Sequence, residues 1–129
     1  MSYHFTTTLE GVPFDQAIEK VTAALKEKGF GVLTTIDVKK TMKEKIDVDF
    51  RPYVILGACN PRFAHQALSR EDKIGTMMPC NVILQDKDGV VEVSAVNPIA
   101  SMAAVQNAEL GAVAGEVSDL LKQVIEGLR

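Results

Sequence analysis

Apolar residues recur with helical spacing in two long segments of the chain. The first segment runs from Phe14 to Lys28, and its 3.6-residue stripe consists of Phe14, Ala17, Ile18, Val21, Ala24 and Leu25. Gly29 follows in the position that a left-handed C-terminal cap requires. The second stripe consists of Leu110, Val113, Val117, Leu121, Val124 and Leu128. These patterns predict amphipathic helices at 14–28 and at about 107–128, the second covering a sheet or another helix.

The remaining apolar runs are short and have the character of strands. Alternation in "YHFTTTLE" and the runs "FGVLTTIDV" and "PYVILGAC" predict three strands. A fourth, at about 76–85, is joined by "DKDG" to a fifth, "VVEVSAV", which is the clearest hairpin signal in the chain. Asn60 with Pro61 and Asn97 with Pro98 are helix starts, so a short helix is predicted at 61–70. Residues 38–46 have a charged, weakly helical pattern.

Composition is that of a globular protein, with 47% hydrophobic and 24% charged residues in a chain of 129. This length fits one ordinary core without disulfides or metals. We therefore predict a single α+β domain spanning residues 1–129.

Charge and cysteine usage narrow the range of partners. A formal net charge of -3 gives no general attraction to a phosphate backbone, so nucleic acid is not expected as a partner. The four lysines between Lys39 and Lys45 are interpreted as a solvated helical face rather than a membrane contact. The N-terminus lacks an export signal and no stretch is long and apolar enough to span a bilayer, so a cytoplasmic protein with reduced thiols is expected.

Several phrases occur together in the order and spacing of a known family. They are "GFGVLTTIDV", "YVILGACNPRFAHQAL", "MPCNVILQD" and "VSAVNP". Through them the chain resembles the small cytosolic members of the domain-of-unknown-function 302 family over nearly its whole length. The resemblance implies a mainly antiparallel sheet packed by helices, roughly β-α-β(4)-α with a short helix inserted after Pro61. It implies no activity.

The resemblance also indicates which residues recur in the family. They are the turn of Asn60 and Pro61 and the strand start of Pro79 and Asn81. Cysteines are present in the subgroup that this chain resembles and are replaced in others, which weakens the case for a family-wide reaction at Cys59 or Cys80.

Two interpretations of the cysteines remain open. Cys59 precedes a helix start, where the helix dipole favours an anion and lowers a thiol pKa, yet it also ends an apolar run, which favours packing. Cys80 alternates with Val82 and Leu84 on a row that is expected to face the core. If the two strands are neighbours, Cys59 and Cys80 converge, with His65 as a third ligand or a base.

No nucleotide, hydrolase or zincin motif occurs in the chain. The sequence therefore favours a non-catalytic domain that binds a small ligand or a protein partner, and a homodimer is one such assembly. The alternative is a thiol- or metal-dependent role, redox or sulfur-related, that uses Cys59 and Cys80. No cofactor is indicated.

The last expectation concerns the two family segments, which interrupt apolar strands. We predict that Asn60, Pro61, Pro79 and Asn81 form one polar ligand-binding locus, with Cys59 packed beside it. Either Asn81 satisfies the backbone of the Asn60 turn, or both amides point into a pocket. In the first case Asn81→Ala should lower the free energy of unfolding by about 1–3 kcal/mol, because it leaves a buried group without its hydrogen-bond partner.

Overall fold

A five-stranded antiparallel sheet organises residues 2–128, the part of the chain that the computed structural model describes. In chain order its strands are β1 (His4–Glu10), β2 (Gly31–Asp37), β3 (Tyr53–Cys59), β4 (Cys80–Lys87) and β5 (Val90–Val96). Their order across the sheet is β1-β5-β4-β3-β2. The strands β1 and β2 lie at opposite edges of the sheet, and the three later strands lie between them.

Five α-helices accompany the sheet within the same described range. They are α1 (Phe14–Glu27), α2 (Val38–Ile46), α3 (Pro61–Arg70), α4 (Pro98–Ser101) and α5 (Leu110–Glu126), and a 3₁₀ turn spans Ile74–Met77. The predicted α+β class, the strand number and the helices at 14–28, 38–46 and 61–70 are confirmed. The last helix begins at Leu110 rather than near residue 107.

One predicted strand has the wrong start. The pattern placed a strand at about 76–85, whereas β4 begins at Cys80. The predicted start falls in the 3₁₀ turn Ile74–Met77, which buries Ile74 and leaves Met77 exposed at 41%, so the residues before Cys80 pack through a turn and not through a strand pleat. Apolar character alone does not separate these two geometries in so short a run.

The predicted cap of α1 forms at Gly29. Its φ of 87° is in the left-handed region, which a residue without a Cβ adopts without strain. The Gly29 amide donates to Lys26 and the Phe30 amide donates to Leu25, which is the Schellman pattern. The chain is thereby turned so that Phe30 and Leu25 both enter the core.

The predicted hairpin joins β4 to β5. Asp88 and Gly89 both have positive φ, as a two-residue type I′ turn requires, and the Asp86 carboxylate accepts from the Gly89 amide at 2.8 Å. The hairpin register pairs Val82 with Ala95 and Leu84 with Val93. All four of these side chains therefore lie on the same face of the sheet.

The hydrophobic core lies between that face and the helices α1 and α5. Helix α1 contributes Ala17, Val21 and Leu25, and α5 contributes eight buried residues, among them Leu121 and Val124. Burial of a leucine or valine side chain stabilises the fold by about 1.5–3 kcal/mol relative to exposure. The apolar faces of the two helices and of the sheet together form the hydrophobic core.

The opposite face of the sheet is partly open. In its middle row Ile36, Ile55, Ile83, Ser94 and Thr6 stand side by side across the five strands. Helix α2 contacts β2 and β3 but contributes no buried residue. None of the helices in residues 2–128 has the length and apolar character needed to cross a membrane.

Candidate functional site

The cysteines and the two proline segments meet at one end of the sheet. Strand β3 ends at Cys59 and β4 begins at Cys80, and the antiparallel register places Ala58 directly opposite Cys80. The Asn60 turn, which leads into α3, therefore lies beside Pro79, which leads into β4. The sequence-predicted residues Cys59, Asn60, Pro79 and Cys80 are brought together as expected.

A small cavity occupies this end of the molecule, and all four of these residues line it. Its volume is about 40 Å³, enough for a few water molecules at most. Helix α3 and the first half of α5 supply walls that are almost wholly apolar, including Phe63, Ala64, Ala67, Val113, Ala114 and Val117. The cavity is therefore a small, partly open apolar space between the ends of β3 and β4 and the helices α3, α4 and α5.

The side chain of Asn60 is the main amide at the cavity. It does not cap α3, and within residues 2–128 it has no hydrogen-bond partner. Its Nδ2 lies over Gly29, 3.0 Å from the position that a Cβ on that glycine would take. Because the side chain is only partly buried, this amide is available to a ligand or to solvent.

Asn81 does not share this locus. It is exposed and faces the open side of the sheet, where it lines a shallow groove with Tyr53, Ile83 and Gln85. The prediction of one polar locus containing both amides is therefore wrong in its geometry. The reason is the strand pleat, since the alternation that turns Cys80 and Val82 toward the core turns Asn81 away from it.

The two prolines differ in the same way. Pro61 is exposed at the first position of α3, and it is not among the residues that line the cavity. Pro79 does line the cavity, and the Met78–Pro79 peptide bond is cis. Its Cγ lies 2.8 Å from where a Cβ on Gly57 would be, so the ring packs against the bare backbone of β3.

Both cysteines are free thiols of intermediate exposure. Burial raises the pKa of the Cys80 thiol to about 11, and the neighbouring Cys59 adds to this shift. Cys80 is therefore protonated at neutral pH, which disfavours its use as an activated nucleophile.

His65 does not join the cysteines. Its side chain is exposed on α3, and its backbone carbonyl accepts from Ser69 Oγ at 2.7 Å. Among the described residues there is no group of three or more His, Cys, Asp or Glu side chains arranged to hold a metal ion. The expected convergence of Cys59, Cys80 and His65 is thus limited to the two thiols.

Sequence reasoning missed the polar role of Asn97. This side chain is 7% exposed, its Oδ1 accepts from the Ile99 amide and from Ser118 Oγ at 3.1 and 2.9 Å, and its Nδ2 donates to the Ser2 carbonyl. The Asn-Pro dipeptide predicted the helix start, but the contacts of Asn97 to Ser118 and Ser2 depend on the tertiary fold. Asn97 is consequently a structural residue, in contrast to Asn60.

The fold and the site define an α+β domain with an antiparallel sheet and a small apolar cavity at one end. The family model described as "Domain of unknown function DUF302" matches residues 5–128, and the chain belongs to this family. Among solved structures it is similar to an uncharacterized conserved protein DUF302 from Bacillus stearothermophilus. The two are 26% identical, with a TM-score of 0.92, and the match covers 100% of both chains. None of the curated proteins compared with the chain matches it.

Proposed function

We propose that this chain is a non-catalytic domain that binds a small ligand in the cavity between α3, α5 and the ends of β3 and β4. The observation that carries the proposal is the convergence of Cys59, Asn60, Pro79 and Cys80 on that cavity. Apolar pockets with a few convergent polar groups and a perturbed titratable residue are the usual kind of ligand-binding site in proteins.

Helix α3 is the wall that can admit a ligand. Of its ten residues only Ala67 is buried, whereas α5 buries eight. Helices with few buried contacts open locally at lower free energy than those of the core. A ligand larger than a few atoms therefore enters by displacing α3 from α5, and Asn60 lies at the hinge of that movement.

The experiment fills the cavity and asks whether binding is lost. Ala114 lines the cavity on α5, and Ala112 is exposed on the same helix, so Ala114→Leu and Ala112→Leu are a matched pair. Xenon, a small apolar probe, should shift amide signals of Ala64 and Ala67 in the wild type and in Ala112→Leu, but not in Ala114→Leu.

Functional occupancy is tested with the same two variants. A metabolite extract is incubated with each protein, and retained molecules are identified by native mass spectrometry. A molecule retained by wild type and by Ala112→Leu, but not by a folded Ala114→Leu, supports the proposal. Equal retention by both variants, or retention by none of the proteins, contradicts it.

Self-association is a second candidate, and one surface favours it. Four of the large hydrophobic side chains that are exposed in residues 2–128 come from one segment: Leu33, Ile36, Ile46 and Val48, with exposures of 68%, 47%, 63% and 43%. Large exposed apolar surfaces mark interaction sites. We propose that this segment contacts a second copy of the chain, and sedimentation of wild type and Leu33→Lys measures it. A monomer at all concentrations would contradict it.

The cytoplasmic location stays a proposal, supported by the free state of both thiols. A thiol- or metal-dependent role remains the competing function, and the position of both cysteines on one cavity is the observation that favours it.

A further inference from the structure

A groove crosses the open face of the sheet, on the side opposite the core. Its volume is about 380 Å³, within the range of about 300–1,000 Å³ that small-molecule sites occupy. The lining includes Tyr53 of β3, Asn81, Ile83 and Gln85 of β4, and Glu92 and Ser94 of β5. No residue of this groove lines the cavity at the end of the sheet, so the two spaces are separate.

Ile83 forms the floor of the groove. The strand register places it opposite Ser94 on β5 and Ile55 on β3. Asn81 and Gln85 precede and follow it by two residues and therefore lie on the same face of β4. The apolar floor thus has an amide side chain at each end, each about 7 Å from Ile83 along the strand.

A chain of hydrogen bonds holds the Gln85 end of the groove. Gln85 is 7% exposed, its Oε1 accepts from Arg51 Nε at 2.9 Å, and its Nε2 donates to Glu92 Oε1 at 3.3 Å. Lys87 Nζ lies 3.4 Å from Glu92 Oε2. Both ends of the buried amide are therefore in use, which fixes the position of the Arg51 side chain that bonds to it.

The Arg51 guanidinium is positioned by two further contacts. Its Cζ lies 4.5 Å from the centroid of the Phe50 ring and 5.7 Å from that of the Tyr53 ring. Within residues 2–128 its two Nη groups have no hydrogen-bond acceptor and no ion-pair partner. A guanidinium that is already held in place loses little conformational entropy when it binds a ligand.

The acidic side chains around Arg51 leave it available to an anion. Glu92 is paired with Lys87, and the Asp86 carboxylate accepts from a backbone amide of the hairpin turn. Asp88, at the exposed tip of that hairpin, forms no ion pair with Arg51. The two Nη groups form a planar fork whose geometry matches a carboxylate.

We propose that this groove binds a small aromatic carboxylate, with its carboxylate on the Nη groups of Arg51 and its ring on Ile83. The step of about 7 Å from Gln85 to Ile83 matches the length of a benzoate ion. A planar ring also covers a shallow apolar floor without the entropy cost of ordering a flexible chain. The inference goes beyond the proposed function, because it concerns a different surface of the molecule.

Asn81 supplies specificity at the other end of the floor. Its amide is exposed and has no hydrogen-bond partner within residues 2–128. Because an amide can both donate and accept, it suits a hydroxyl group para to the carboxylate. One added hydrogen bond should make 4-hydroxybenzoate bind about three- to tenfold more tightly than benzoate.

The test is a titration of the full chain with sodium benzoate, followed through the backbone amide signals in NMR spectra. Saturable shifts are expected at Ile83, Gln85 and Ser94, and not at Ala64 and Ala67 of the cavity. Benzamide, the uncharged isostere, should bind about tenfold more weakly, because hydrogen bonds to a charged group are stronger than those between neutral groups.

Variants with matched controls assign the roles. Arg51→Gln should weaken benzoate binding by about tenfold or more, because the charged donor is lost. Arg62→Gln makes the same charge change at an exposed position of α3 and should bind as the wild type does. Arg51→Lys keeps the charge without the planar fork and should have an intermediate affinity. Asn81→Ala should bind benzoate normally and lose the preference for 4-hydroxybenzoate. Circular dichroism verifies that each variant is folded.

Four results would overturn the inference: no saturable benzoate shifts at millimolar concentration, equal affinity for benzamide, wild-type binding by a folded Arg51→Gln, or shifts centred on Ala64 and Ala67. An Asn81→Ala variant that keeps the preference for 4-hydroxybenzoate would overturn the role of Asn81. Ala114→Leu fills the cavity and should leave benzoate binding unchanged. Failure of the benzoate experiment therefore overturns the groove alone, and the xenon and metabolite experiment decides the cavity independently.

Discussion

Asn97→Ala is expected to be among the most destabilising single substitutions of a polar side chain in the chain. The asparagine connects three elements: it caps α4 through the Ile99 amide, holds Ser118 of α5, and donates to the Ser2 carbonyl before β1. Alanine removes all three hydrogen bonds. It also leaves the Ser118 hydroxyl, which is 4% exposed, without this partner.

The magnitude follows from these contacts. Loss of the cap costs about 0.5–2 kcal/mol, and a buried hydroxyl left unpaired costs about 1–3 kcal/mol. Since such terms overlap, we expect the free energy of unfolding to fall by about 2–4 kcal/mol. With a urea m value of about 2 kcal/mol/M, the midpoint moves down by about 1–2 M.

The matched control is Asn60→Ala, because Asn60 occupies the same Asn-Pro turn without a capping bond. Its free energy of unfolding should fall by less than about 1 kcal/mol. The double variant Asn97→Ala with Ser118→Ala should be more stable than the sum of the single losses, because it removes the orphaned hydroxyl. The reasoning is refuted if urea unfolding shows equal losses for Asn60→Ala and Asn97→Ala, or strict additivity in the double variant.

Three further outcomes are expected. Gly57→Ala should lower the melting temperature, because its Cβ would meet the Thr34 hydroxyl and the Pro79 ring, the latter at 2.8 Å, and overpacking costs about 1–3 kcal/mol. Gly111→Ala in α5, with nothing within 4 Å, should not lower it, and equal effects would contradict this. The rate of Cys80 alkylation, measured by mass spectrometry, should increase with pH up to about 11. Because the thiol pKa is raised in the folded state, the free energy of unfolding should fall as the pH rises from 9.0 toward that value. An alkylation rate that reaches a plateau below pH 9 would contradict the raised pKa. Asn81→Ala should change the unfolding free energy by less than about 0.5 kcal/mol, since the side chain is exposed; a loss above 1 kcal/mol, measured in urea, would restore the buried-amide interpretation.

The fold was predictable where patterning is long or turn chemistry is specific. Gly29 and the Asp88–Gly89 pair all have a positive φ. The helix cap and the hairpin turn could be predicted there because few other residues adopt that conformation. The start of β4 could not be predicted, because Met77 and Met78 extend the apolar run of β4 although the chain there forms the end of a 3₁₀ turn.

The site was predictable in part. Local sequence placed Cys59 and Asn60 at a strand end, and strand alternation placed Cys80 on the core face. The same alternation places Asn81 on the opposite face. The predicted shared locus was wrong because the segment from Pro79 to Asn81 was assigned to one site as a whole, although its residues alternate between the two faces. The partners of Asn97 could not be found in this way, because Ser118 is 21 residues distant and reaches it only through the docking of α5.

The two Asn-Pro turns lie at the same end of the sheet, and Asn60 and Pro98 both line the cavity, but the two turns are anchored differently. At Asn97 the side chain is tied to α5 and to the chain before β1, which holds the short helix α4 against the core. The Asn60 side chain has no such hydrogen bond within residues 2–128, and α3, which contacts α5, presents the small side chains of Ala64 and Ala67 to the cavity. Small residues under a loosely anchored helix leave space that aliphatic side chains elsewhere fill. The α3 side of the cavity, which lacks a polar anchor, is therefore the side from which a ligand can enter with the least disturbance of the core.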